Sequence, residues 1–115
     1  MIQLKRCNVT VMVSDMDRAV RFYTENMGMH LKQRYGGHYA ELEAPGLALG
    51  LHPASGSVKW GNNLSIGFGV ENLEQEAEKL KAAGIEVLLV RDGFGLMAHL
   101  EDPDGNALYL VEVGD

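Results

Sequence analysis

The stretch Val9-Thr10-Val11-Met12-Val13-Ser14-Asp15-Met16-Asp17-Arg18-Ala19-Val20 decides the fold of this chain. Its valines alternate with other residues, which predicts a strand with one fully apolar face. Ser14 or Asp15 then caps an amphipathic helix whose first turn is acidic. The stretch Ile66-Gly67-Phe68-Gly69-Val70-Glu71-Asn72-Leu73-Glu74-Gln75-Glu76-Ala77 repeats this plan, with Asn72 at the place of Asp15. The chain therefore uses one strand–helix unit twice.

Each copy continues into three further predicted strands. Helical spacing of apolar residues predicts helices near residues 15–27 and 72–83, each followed by a glycine that ends it. Residues 54–63 are rich in turn formers and predict a linker between a first module, 1–53, and a second module, 64–115. We therefore predict a single α+β domain of two βαβββ modules, whose curved mixed sheets enclose a shared cavity.

Length, charge and cysteine content restrict the classes of partner and the location expected for this chain. A chain of 115 residues is one domain, and its net charge of -6 argues against a nucleic-acid partner. No apolar run is long enough to span a membrane, and no signal-peptide pattern is present, so we expect no membrane association. The lone Cys7 offers no disulfide framework, which favours a cytoplasmic protein and, for Cys7 itself, a buried structural thiol over a nucleophile.

The chain resembles the vicinal oxygen chelate superfamily, the fold of glyoxalases, bleomycin resistance proteins and extradiol dioxygenases. The residues that carry the resemblance are the stretch 11–19, Phe22-Tyr23, Met27-Gly28 and Asp102-Pro103-Asp104-Gly105-Asn106, and they follow the family order over nearly the whole chain. The resemblance implies two βαβββ modules around one cavity. It leaves the activity open, because this fold carries lyases, dioxygenases, transferases and metal-free binding proteins.

Metal-dependent members of the family place four ligands, usually His and Glu, on four strands. The resemblance puts these positions at Asn8, Gly50, Ser65 and Tyr109. The side chains at these positions are an amide, two hydroxyl groups and, at Gly50, a hydrogen atom. They are poor ligands for zinc, iron or nickel. The resemblance therefore implies that this chain has lost the inherited metal site, and we expect no metal and no other cofactor.

Strand alternation predicts what lines the cavity instead. If the valines of the first strand face the helix, the residues that alternate with them face the cavity. The same rule assigns a cavity side to three other strands. Glycines there either leave room for a bulky ligand or serve packing, by admitting the opposite sheet or a bulge. Together with the inherited positions, the predicted ligand-binding set is Asn8, Thr10, Met12, Gly50, His52, Ser65, Gly67 and Tyr109, with Trp60 near the mouth.

Two of these residues have alternative interpretations. Trp60 either stacks on a planar or cationic ligand or plugs a module or subunit junction. His52 is either a general base or a histidine that meets solvent at a strand end. No partner spacing assigns a role to His30, His38 or His99. The strand glutamates Glu41, Glu43 and Glu101 either give the cavity mouth a negative rim or simply face water.

The leading functional hypothesis is a metal-free binding protein of the bleomycin-resistance type, which sequesters an aromatic or cationic small molecule such as an antibiotic. The alternative is a glyoxalase-type lyase or isomerase that uses a relocated metal, or His52 and Tyr109 as an acid–base pair. A third is an accessory protein without a ligand. Whether the protein is an enzyme stays open. We also expect a homodimer, because two small modules have limited core.

Overall fold

The computed structural model describes residue 1 and residues 3–5, 7–54, 64–92 and 95–113. The chain divides into two compact units, Met1–Lys59 and Trp60–Asp115. Each unit contains one four-stranded mixed sheet and one helical element in the order βαβββ. The predicted α+β class and the two βαβββ modules are confirmed.

In the first unit, strand β1 (Val9–Val13) leads into helix α1 (Met16–Arg21) and a π-helical segment (Phe22–Asn26). Strands β2 (His30–Tyr35), β3 (Tyr39–Ala44) and β4 (Leu47–Pro53) follow. The sheet order is β1-β4-β3-β2, and β1 pairs in parallel with β4 while the other pairs are antiparallel. The first unit is thus one strand–helix crossover joined to an antiparallel meander.

Helix α1 forms where the capping residue predicted it. The Asp15 carboxylate accepts a hydrogen bond from the Arg18 amide at 3.0 Å and so satisfies one of the free N–H groups of the first turn. The π-helical segment that continues α1 is followed shortly by Gly28, whose φ of 78° is a conformation that glycine adopts without strain. Its apolar side packs on the sheet, and the fully buried side chains include Tyr23 and Leu49. The helix thereby covers one face of its sheet.

The second unit repeats this arrangement. Its elements are β5 (Ser65–Val70), α2 (Leu73–Ala82), β6 (Leu88–Asp92), β7 (Gly95–Glu101) and β8 (Ala107–Glu112). The order is β5-β8-β7-β6, with β5 parallel to β8 and the other pairs antiparallel. Asn72 caps α2 by accepting from the Gln75 amide at 3.1 Å, and the Glu112 carboxylate accepts from the Leu73 amide at 3.1 Å. The last strand therefore helps to hold the start of the helix.

The turn before β8 is organised by one buried carboxylate. Asp102 Oδ1 accepts from the amides of Asp104 and Asn106 at 2.9 and 2.8 Å, and its Oδ2 accepts from Asn106 Nδ2 at 2.8 Å. Asp102 is buried, so these bonds replace the water that its carboxylate loses. The Asp-Pro-Asp-Gly-Asn sequence is therefore explained by a structural turn.

Three details add to or correct the sequence-based expectations. The first helix is not α-helical throughout but ends in the π-helical segment Phe22–Asn26. The prediction that Cys7 is buried is wrong: its thiol is exposed, because β1 begins only at Val9 and Cys7 precedes the sheet. No helix among the described residues is both long and apolar enough to cross a membrane.

Candidate functional site

The helix-distal face of each sheet is the face turned away from the helix of the same unit. In β1 the side chain of Val13 is buried, whereas Thr10 and Met12 are exposed on the other side. The predicted alternation of this strand is therefore confirmed. Neighbouring residues in register share a face, so pairing extends the assignment across the sheet: Thr10 lies beside Gly50, and Met12 lies beside His52. Four of the predicted site residues thus share the helix-distal face of sheet one.

Gly50 is buried, and the space beside it is already filled. A β-carbon at this position would lie 2.6 Å from the Tyr39 hydroxyl oxygen and 3.0 Å from Thr10 Oγ1. Asn8 is directly before β1, and its Nδ2 donates to Thr10 Oγ1 at 3.3 Å. Asn8, Thr10 and Tyr39 therefore place an amide and two hydroxyl groups around the position that the resemblance assigns to a metal-binding glutamate.

Glu41 is the main addition that the structure makes to this face. It pairs directly with Gly50 on one side and with Gln33 on the other, and it is 1% exposed. Gln33 Nε2 donates to Glu41 Oε2 at 3.1 Å, and Tyr35 donates its hydroxyl to Gln33 Oε1 at 2.9 Å. The alternative in which Glu41 faces water is wrong, because the side chain is buried. The helix-distal face of sheet one holds a buried carboxylate that a chain of hydrogen bonds keeps in position.

Sheet two brings Ser65, Gly67 and Tyr109 to its helix-distal face. Ser65 pairs with Ala107, and Gly67 pairs with Tyr109 across the parallel β5–β8 ladder. The Tyr109 ring lies over Gly67, so that a β-carbon at position 67 would overlap the ring and come within 2.6 Å of Cε2. The room that Gly67 leaves is thus taken by a side chain of the same sheet. This favours the packing interpretation of that glycine.

His99 is a neighbour of Tyr109 that the sequence analysis did not select. The two residues are directly paired across the antiparallel β7–β8 ladder, and His99 is exposed while Tyr109 is half-buried. His52, the histidine selected from the sequence, lies in the first unit, where its Nδ1 is 2.8 Å from the Pro53 carbonyl oxygen. Counting strand positions from Tyr109 could have identified His99, but only once the β7–β8 register was known.

The residues at the four inherited ligand positions do not fit a transition metal. Gly50 has no donor, and the Tyr39 and Thr10 hydroxyls occupy the space that a side chain there would need. Tyr109 offers a phenol that lies over Gly67, and Asn8 and Ser65 offer an amide and an alcohol. Among the residues that the structure describes, His, Cys, Asp and Glu form no group of three that could hold a metal ion.

The remaining predictions about the site have separate outcomes. Trp60 lies outside the described residues, as does most of the predicted linker. That the two helix-distal faces enclose one cavity stays a prediction. The predicted ligand-binding set left out Gln33 and Tyr39, although alternation along β2 and β3 could have placed both on this face once the strand pairing was known. Neither residue is at an inherited ligand position, which is why the resemblance did not select them.

Comparisons with known proteins agree with this architecture. Residues 5–110 match the family described as Glyoxalase/Bleomycin resistance protein/Dioxygenase superfamily. A probable chloroplastic lactoylglutathione lyase of Arabidopsis thaliana is 30% identical over 93% of this chain, which spans only 35% of that protein. Lactoylglutathione lyase of Salmonella typhimurium is 29% identical, with 90% of this chain and 88% of that protein aligned. A crystal structure of lactoylglutathione lyase from Agrobacterium tumefaciens has a TM-score of 0.78 at 19% identity, covering 95% and 94% of the two chains.

Proposed function

Because this chain belongs to the glyoxalase/bleomycin resistance protein/dioxygenase superfamily, we propose that it is a metal-free member that binds a small organic molecule. The proposed ligand is an aromatic or cationic compound, and an antibiotic is one such compound. The curated relatives reported above are named lactoylglutathione lyases and not bleomycin resistance proteins. The proposal therefore commits to a chemical class and not to resistance.

The observation that supports this proposal most is the filled space beside Gly50. Where a family enzyme would present a carboxylate to a metal, this chain presents the Tyr39 and Thr10 hydroxyls. Hydroxyls and an amide are groups that orient an organic ligand by hydrogen bonds. Tyr35 and Tyr39 are paired on adjacent strands of the same sheet and add aromatic surface. This combination suits binding better than Lewis-acid chemistry.

The test combines metal analysis with ligand binding. The purified protein, incubated with excess zinc or nickel and then dialysed, is expected to retain far less than one equivalent by elemental analysis. Calorimetric titration with aromatic probes of different charge is expected to give saturable binding to at least one of them. One equivalent of retained metal, with no aromatic probe bound, would overturn the proposal.

A second candidate is a lyase or isomerase that transfers protons without a metal. The observations that favour it are the names of the relatives and the direct pairing of His99 with Tyr109. An imidazole and a phenol on adjacent strands are groups that can accept and donate protons. Incubation with lactoylglutathione, followed by the absorbance of its thioester, tests this candidate. Turnover that His99→Gln and Tyr109→Phe each abolish would rank it first.

A further inference from the structure

The helix-distal face of sheet two is accessible but mostly apolar. On β7 and β8 every second residue is buried on the helix side, namely Ala98, Leu100, Leu108 and Leu110. The residues between them are half-buried or exposed, and strand pairing places them beside residues of β6 on the same face. The accessible residues of this face include Leu88, Val90, Met97, His99, Tyr109 and Val111. Accessible apolar surface of this kind commonly marks a place where a ligand or a partner binds.

Two glycines of the edge strand β5 widen this surface. A β-carbon at Gly67 would overlap the Tyr109 ring, and a β-carbon at Gly69 would lie 2.9 Å from Val113 Cγ1. Both side chains therefore lean across β5, over backbone that carries no side chain of its own. Tyr109 is only half-buried in this position, so the residue stays accessible from solvent. The glycines thus make an aromatic ring that lies over the strand part of the surface.

His99 supplies a polar group next to this ring. It is the direct strand neighbour of Tyr109 on the side away from Gly67, and its neighbour on the other side is Leu88, which is 65% exposed. The imidazole is exposed and makes no hydrogen bond with any residue that the structure describes. A neutral imidazole has one N–H donor and one acceptor nitrogen. It can therefore pair, in either tautomer, with a group that both donates and accepts, such as a hydroxyl or a primary amide.

We infer that this face binds a neutral planar aromatic compound, with its ring against Tyr109 and a hydroxyl or primary amide at the ring edge bonded to His99. The inference rests on the proposed ligand-binding function and narrows the ligand from aromatic or cationic to aromatic and neutral. The paired row Leu88, His99, Tyr109 and Gly67 holds no acidic side chain that would favour a cation. Aromatic rings attract each other in offset or edge-to-face arrangements, which a saturated ring does not reproduce.

Three neutral probes test the inference by titration of the full chain, followed by backbone amide NMR. They are benzamide, cyclohexanecarboxamide, which keeps the amide but has no flat ring, and N,N-dimethylbenzamide, which keeps the ring but has no N–H to donate. The wild-type protein is expected to bind benzamide at least about threefold more tightly than cyclohexanecarboxamide, because only the flat ring stacks on tyrosine. It is expected to bind benzamide at least about threefold more tightly than the dimethyl amide, because of the hydrogen bond to His99. Equal affinity for benzamide and cyclohexanecarboxamide would overturn the inference.

Two variants separate the ring contact from the hydrogen bond. Tyr109→Leu keeps apolar bulk, and it is expected to reduce the preference for benzamide over cyclohexanecarboxamide to less than about 1.5-fold. His99→Phe keeps a flat ring without nitrogen atoms, and it is expected to remove the preference for benzamide over the dimethyl amide. His30→Phe is the matched control for His99→Phe, because His30 is an exposed histidine on a strand of sheet one, and it is expected to leave both preferences unchanged. Equal effects of the two histidine variants would overturn the inference.

The spectra of the wild-type protein also locate the bound probe, so the test does not depend on whether the variants fold. The largest shift changes during titration with benzamide are expected at His99, Tyr109 and Val111. Changes centred on sheet one, where Thr10 and Gly50 lie, would overturn this inference and leave the proposed function standing. If none of the three neutral probes binds but a charged aromatic probe does, this inference likewise fails and the proposed function stands. If no aromatic probe of any charge binds, both fail.

Discussion

Gly67→Ala tests the packing of Tyr109 directly. A β-carbon at position 67 would overlap the Tyr109 ring, with Cε2 only 2.6 Å away. Non-bonded carbons prefer about 3.5–4.0 Å, so the ring must leave its place over the strand or the two strands must separate. The perturbation is one methyl group, and its effect depends on one identified neighbour.

The magnitude follows from two opposing effects. Overpacking of this kind costs about 1–3 kcal/mol. Replacing a glycine within a strand by alanine regains roughly 0.5–1 kcal/mol of backbone entropy. We therefore expect Gly67→Ala to lower the free energy of unfolding by about 1–2 kcal/mol. In a Tyr109→Ala background the overlap is absent, and the same substitution is expected to be neutral or stabilising.

The assay is a double-mutant cycle measured by urea unfolding at 25 °C and followed by circular dichroism. The comparison covers four proteins: wild type, Gly67→Ala, Tyr109→Ala and the double variant. Their free energies of unfolding are obtained with one shared slope against urea concentration. Gly37→Ala is the control, because a β-carbon at that turn meets nothing within 4 Å. It is expected to change the free energy of unfolding by less than about 0.5 kcal/mol.

The coupling energy between positions 67 and 109 decides the outcome. We expect about 1–3 kcal/mol, since the cost of the alanine arises only when the tyrosine is present. A coupling below about 0.5 kcal/mol would refute the packing of Tyr109 over Gly67. Gly67 would then leave open space, and the interpretation as room for a ligand would regain support.

Three further predictions concern other parts of the chain. Asp102→Ala is expected to lower the free energy of unfolding by roughly 2–4 kcal/mol in the same urea assay, because it leaves three donors of the turn unpaired; a loss below about 1 kcal/mol would contradict this. A hydrogen bond from Arg34 lowers the pKa of Asp17, so this pair stabilises the fold above the ordinary carboxyl pKa and is lost as pH falls through the lowered pKa. Arg34→Gln is expected to raise the Asp17 midpoint in a carboxyl NMR titration, and an unchanged midpoint would contradict the pairing. The proposed homodimer is expected to give a dimer mass in sedimentation equilibrium, and a monomer mass at every concentration would refute it.

The sequence predicted the elements well because local rules determine them. Alternating valines in β1, the Asp15 and Asn72 caps and the glycines after the helices each depend on a few adjacent residues. The resemblance then implied that these elements form two βαβββ modules. The π-helical end of the first helix was not predictable in this way, because its apolar spacing is compatible with an ordinary α-helix.

The candidate site was less predictable, because it depends on how side chains lean across strands. Alternation correctly assigned Thr10 and Met12 to the helix-distal face, yet it could not tell that Tyr39 reaches over Gly50 from a neighbouring strand. The same limit applies to Tyr109 and Gly67. Each glycine is explained by a tyrosine at a register position that only the folded sheet defines.

The burial of Glu41 was likewise not predictable from its position along the strand. Strand glutamates usually face water, which is why a solvated side chain was one of the two alternatives for Glu41. Its burial depends instead on neighbours contributed by other strands, among them Gln33 and Gly50. A resemblance that points to inherited metal positions directs attention away from such a residue.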